Sequence, residues 1–156
     1  MLPGDYMVTA TGGWLSGWIR RITRSDVNHA AVYIGDGYIV EAWTSGARIR
    51  LMEEWPNAIW STFPLTGPQR QSIVRYAKAM VGTPYNYWDI AAQAIVRVFK
   101  WNAPPWALDR LSRPDRLQCA QLVDLAYATA GVHLFPDGRP YGLVAPADLE
   151  ALIHVA

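Results

Sequence analysis

HAAVYIGDGYIVEAW, residues 29–43, decides how this chain folds. Two runs rich in β-branched, small apolar and aromatic residues, 29–34 and 38–43, flank Gly35-Asp36-Gly37. That is the turn chemistry of a β-hairpin. Outward from it, ARIRLM (47–52) after Ser45-Gly46 is predicted as a third strand and AIWSTF (58–63) after Pro56-Asn57 as a fourth. Residues 5–10, following the Pro3-Gly4 turn, form a further short strand upstream of the hairpin.

Helical signals take over after the strands. Thr66 caps a predicted helix from about Pro68 to Val81, with Pro68 in its first turn, Gly82 past its end and an apolar stripe of Ile73, Val74, Ala77, Met80 and Val81. A second, apolar helix is expected over Trp88–Lys100. A third is expected from about Cys119 to Ala130, closed by Gly131, and a last short one from Pro146 to about Ile153. Trp14, Trp18 and Ile22 recur at helical spacing in 14–24, and Pro104, Pro105 and Pro114 mark a loop over about 102–118. Strands first and helices afterwards make an α+β pattern, distinct from alternating βαβ units.

The 156 residues suit one domain, 1–156, with no repeat or linker. Apolar residues make up 51% and charged residues 17%, which excludes a disordered chain. A net charge of +1 gives no basic field for nucleic acid. The single cysteine excludes an internal disulfide and paired-cysteine zinc or redox motifs. The three scattered histidines offer no metal-ligand spacing, so neither metal nor cofactor is expected. No signal peptide and no apolar run long enough to span a membrane is seen, which favours a cytoplasmic, or a phage-borne or otherwise exported, protein. The eight tryptophans are many for a core of this size, and some are expected at a groove or at a partner or lipid interface.

Three residues carry candidate chemistry. Cys119 sits where the Pro-containing loop becomes helix. There the positive end of the dipole and the unpaired N–H groups favour a thiolate and can hold an oxyanion; the alternative is a small buried core residue. His29 opens a strand and is the candidate base, with His133 and His154 as rivals that have no acidic residue on a neighbouring strand. Glu41 interrupts an apolar strand, and a buried carboxylate there needs a partner. A two-residue turn at Asp36-Gly37 would set Glu41 opposite Val32, on the face away from His29; Glu41 would then be a carboxylate facing water. A three-residue loop would set it opposite Ala31, diagonal to His29 at ~7–8 Å. The catalytic reading requires the odd loop, which is the one expected.

PGDYMVTA (3–10) with NHAAVYIGDGYIVEA (28–42) resembles the later half of NlpC-type cysteine peptidases. VGTPYNYWD (81–89) with LQCAQLVDLAYATAGVHL (117–134) resembles their earlier half. The His half precedes the Cys half here, as in the circularly permuted branch of this papain-like superfamily. The resemblance covers roughly 3–52 and 67–135. It implies a papain-like fold with a small antiparallel sheet, Cys119 as nucleophile, His29 as base, Glu41 as the residue orienting it, and Tyr85 as an oxyanion or substrate contact (otherwise a packing tyrosine). It also implies amide hydrolysis through a thioester, with a peptide or acyl substrate such as bacterial cell-wall peptides. Ala120-Gln121 after the cysteine and the Trp-rich 88–106 stretch depart from the pattern and leave substrate choice open. A lipid-directed hydrolase or acyltransferase and a catalytically silent binding module are the other readings.

Overall fold

The computed structural model describes residues 1–12, 26–85 and 117–155. The expected helices at 14–24 and 88–100, all but the last two residues of the loop expected over 102–118, and Trp14, Trp18, Trp88, Trp101 and Trp106 lie outside the described residues. Five strands make one antiparallel sheet: β1 (Tyr6–Thr9), β2 (His29–Gly35), β3 (Tyr38–Trp43), β4 (Gly46–Leu51) and β5 (Ile59–Trp60), in the order β4-β3-β2-β1-β5. Three α-helices follow among the described residues: α1 (Gly67–Ala79), α2 (Cys119–Thr129) and α3 (Pro146–Val155). The α+β pattern is what the strand-then-helix order implied.

The alternation of strand side chains sorts the apolar residues onto two faces. Tyr6, Val8, Ala30, Val32, Val40 and Ala42 belong to the main core together with Ile73 and Ala77 of α1 and Ala120, Leu122, Val123, Ala126 and Tyr127 of α2. Small residues on α2 let it lie close against β2, and nearly all of its first nine residues are buried. Met7, Ala31 and Ile39 form a second cluster on the other face, with Tyr33, Met52, Trp55, Ala58 and Trp60 packed against it.

The N-terminal turn is tied down from several sides. Gly4 takes a φ of +93°, and a Cβ there would stand 3.2 Å from the Arg70 Cα, so both conformation and space call for glycine. Arg70 of α1 bonds Asp5 at 2.7 Å and donates to the Pro3 and Phe63 carbonyls. The Tyr127 hydroxyl donates to the Gly4 carbonyl and the Tyr6 hydroxyl to the Leu149 carbonyl, joining α2 and α3 to β1.

Helix α1 begins as expected: Thr66 accepts from the Gln69 N–H while the Gln69 side chain accepts from the Thr66 N–H. Gly82 and Gly131 carry the positive φ expected after α1 and α2. The strand expected over 58–63 is shorter. Beyond Trp60 the Ser61 N–H still donates to the Tyr6 carbonyl, but the Tyr6 N–H is taken by the Ser61 hydroxyl in place of a backbone carbonyl, and the strand goes no further.

The hairpin loop also differs from expectation. Asp36 (φ 53°) and Gly37 (φ 79°) form a two-residue turn with both central residues left-handed, not a three-residue loop. The one-residue offset comes instead from a bulge between Tyr33 and Gly35. Beyond the bulge the register is Tyr33 to Ile39, Val32 to Val40 and Ala31 to Glu41. A tight turn plus a bulge thus gives the register that the odd loop was needed for.

Candidate active site

Because Glu41 faces Ala31, it projects from the same face as His29, and the diagonal is closed by a hydrogen bond. His29 Nε2 lies 2.6 Å from Glu41 Oε2. Both residues are buried, with exposures of 3% and 0%. With Nε2 directed at the carboxylate, the other ring nitrogen is left for Cys119, which lies close enough to the ring to raise its pKa. The structure therefore brings together the three residues singled out in the sequence, although they come from the second strand, the third strand and the second helix. Cys119 itself belongs to the core on the helix side of the sheet and is 5% exposed. It meets the imidazole at the start of β2.

The second oxygen of Glu41 is taken by a residue that the sequence reading missed. Arg48, opposite Glu41 in the β3–β4 register, places Nε 2.9 Å and Nη2 2.8 Å from Oε1. The signal was present in the Arg-Ile-Arg alternation of 48–50, but its use depends on the register of a second hairpin.

Two tryptophans complete the surroundings. Trp43 meets the His29 ring edge-on with centroids 5.2 Å apart and carries the Arg48 guanidinium 4.9 Å from its own centroid. Trp55 lies 5.1 Å from the His29 ring on another side. Of the three described tryptophans, these two stand at the candidate site, while Trp60 packs on Tyr33.

These contacts set the charge state. Burial opposes the imidazolium, but hydrogen bonds and charge attraction from Cys119 and Glu41 outweigh it and raise His29 to about 9. Burial likewise opposes the Glu41 carboxylate. His29 and Arg48 outweigh it and hold Glu41 below the usual carboxylate range.

At the head of α2, Gln118 has extended backbone and donates its side-chain amide to the Gly142 carbonyl at 2.7 Å, which anchors the approach to Cys119. First-turn N–H groups of such a helix have no intrahelical acceptor. Tyr85 forms a parallel bridge with Leu117, and the Leu117 N–H donates to the Pro84 carbonyl. The Gly-Thr-Pro-Tyr segment is thereby held alongside the chain two residues before the thiol. The rival histidines stay apart from this group: His133 is exposed in the loop after α2, and His154 is exposed near the end of α3.

A groove of about 490 Å³, lined in part by Thr9, Val27, Trp55, Asn57 and Ile59, runs beside the site. Thr9 is the register partner of His29, and Trp55 stands between the groove and the imidazole.

No family model matches the sequence, and no curated protein matches it. Among solved structures, the metalloprotein yiiX from Escherichia coli O157:H7, described as DUF1105, is similar at a TM-score of 0.61 and 20% identity, over 85% of this chain and 68% of that one. The likeness is one of fold. Among the described residues, no three of His, Cys, Asp and Glu are grouped to hold a metal ion. Among the same residues, no helix is long and apolar enough to cross a membrane.

Proposed function

We propose that this chain is a cysteine hydrolase of the circularly permuted papain-like, NlpC-type superfamily, cleaving amide bonds of peptides or isopeptides, with bacterial cell-wall peptides as the first substrate class. The observation that carries the reading is the His29 ring, hydrogen-bonded to a buried carboxylate and close enough to the only cysteine to be shifted by it. A structural histidine needs one partner. An imidazole placed between a thiol and a carboxylate is the arrangement that activates a nucleophile.

In the reactive form the proton sits on His29 and the negative charge on the Cys119 sulfur. The sulfur attacks the carbonyl carbon, and the oxyanion is held by first-turn N–H groups of α2 with Tyr85 beside them. His29 then gives its proton to the leaving amine as the C–N bond breaks, leaving a thioester. Water, deprotonated by the same imidazole, attacks the thioester and releases the acid and the thiol. Glu41 holds the ring's orientation throughout, and Arg48 holds Glu41. Substrate enters along the groove at Thr9 and Trp55.

The test is alkylation of Cys119 by iodoacetamide at neutral pH, followed by mass spectrometry of the protein after incubation with peptidoglycan fragments or phospholipids. Reaction faster than free cysteine, slowed in His29→Ala, and an acyl adduct on Cys119 from the peptide fragments are expected. Alkylation no faster than free cysteine would make the fold a silent binding module, and an adduct from phospholipid alone would move the substrate to acyl esters.

A further inference from the structure

A second cavity, of about 320 Å³, opens between α2 and the loop that follows it, with Asp124, His133, Leu134, Phe135, Arg139 and Tyr141 among its lining residues. Asp124 is on its inner side and 4% exposed, while His133 and Gly138 are exposed at its rim. The Asp124 carboxylate makes no hydrogen bond or salt bridge within the described residues. The nearby cation is already engaged: Arg139 bonds Asp137 through Nε at 2.8 and 3.0 Å, reaches Asp148 at 3.4 Å and lies 4.7 Å from the Phe135 ring centroid.

We infer that this cavity binds a primary ammonium group carried on a short aliphatic chain, with the Asp124 carboxylate as its partner. Asp124 is almost wholly buried, yet its carboxylate oxygens are not sealed from solvent, so a ligand seated in the cavity would take the place of water as their donor. A carboxylate only accepts, so the ligand must donate. Asp124, Asp137 and Asp148 against Arg139 leave the described surroundings negative, so the donor is cationic. A metal ion does not fit, because the described residues offer no grouping of ligands for one. Leu134, Pro140 and the Tyr141 ring give the methylenes an apolar wall, and the volume is at the small end of ligand cavities. Burial raises Asp124 to about 6. Asp137 pushes the same way, while Arg139 and His133 oppose it. The ammonium partner is therefore available at neutral pH and above, and is lost as pH falls through about 6. None of this depends on what Cys119 does.

The experiment is a titration of the full chain with n-butylammonium chloride, and with n-butanol as the uncharged counterpart, followed by NMR and calorimetry. Saturable binding at pH 8 is expected for the ammonium and not for the alcohol. It should weaken about tenfold or more in Asp124→Asn and on lowering the pH to 5, and persist in His133→Gln. Unliganded Asp124→Asn should melt at or above the wild-type temperature at pH 8. No saturable binding, equal binding of the alcohol, equal binding by Asp124→Asn, or a lower melting temperature of that variant would each overturn the inference. Should Asp124→Asn not fold, the alcohol and pH comparisons on the wild-type chain decide it.

Discussion

Glu41 and Asp124 are both almost wholly buried acidic residues, at 0% and 4% exposure, and the fold treats them in opposite ways. Glu41 lies on the sheet, where strand register sets a histidine diagonal to it and an arginine opposite, so each oxygen has a donor. Asp124 lies on a helix, whose neighbouring loop brings an arginine close but spends it on Asp137. The first carboxyl is held below its usual range and the second is pushed up to about 6. Burial alone does not determine a buried charge's behaviour. What determines it is whether the backbone frame delivers a donor, and a β-ladder with fixed register does so more reliably than an irregular loop.

The largest break in that comparison comes from removing the paired carboxylate. Glu41→Ala strands His29 and Arg48 without their acceptor and is expected to destabilise the chain by about 3 kcal/mol or more, measured by urea denaturation. Asp124→Asn is expected to cost nothing. Similar losses at the two positions would show that pairing is not what separates them.

Next in size is the effect of neutralising Glu41 while keeping its shape. In Glu41→Gln, His29 loses one of the two charges that raise it. The alkaline limb of the pH–rate profile, expected near 9 in the parent, should move toward lower pH, and a limb that stays in place would detach Glu41 from the ring. Arg48→Met is milder, because the Arg48 side chain is one-third exposed and solvent screens its charge. A loss of about 1 kcal/mol is expected, together with a raised Glu41 pKa measured by carboxyl-carbon NMR.

The smallest effect, and the one that separates the two carboxyls in a single protein, is the pH dependence of stability. Glu41, held below its unfolded value, contributes stability that is complete above the ordinary carboxylate range and lost as pH falls through its folded value. Asp124 has the reverse sign. Its folded value lies above the unfolded one, so stability is highest at low pH and declines as pH rises from the ordinary aspartate value to about 6. His29 adds stability that is whole below its unfolded value near 6.5 and lost as pH rises through about 9. Melting curves across pH 4 to 10 should therefore show a decline between about 4 and 6 that Asp124→Asn abolishes, and one between about 6.5 and 9 that His29→Ala abolishes. A decline below 6 that survives Asp124→Asn would assign it to another group.

How much of this could be read from the sequence varies from element to element. The Thr66 cap of α1 is a local device, and a few neighbouring residues suffice to specify it. Gly82 and Gly131 are legible for the same reason. The strand expected over 58–63 is shorter in the structure, because its apolar pattern says nothing of whether Ser61 offers its hydroxyl in place of a backbone carbonyl. The Glu41–His29 pairing was legible only as a condition on the loop. The condition is met, but by a bulge at Tyr33–Gly35 rather than by an extra turn residue. Arg48, Trp43 and Trp55 went unassigned because each reaches the site through a contact that no spacing in one strand reveals.

The sequence by itself determined the α+β order, the central hairpin and the starts of α1 and α2, and it singled out Cys119, His29 and Glu41 as the candidate set. Those features rest on interactions within a few residues or on side-chain chemistry alone. The tertiary structure decided the register that puts Glu41 on the His29 face, the arginine that takes its second oxygen, the placement of Cys119 against the ring, and the absence of any donor for Asp124 among the described residues. Each of those depends on which distant backbone segments come to lie side by side, and that is settled only when the whole core packs.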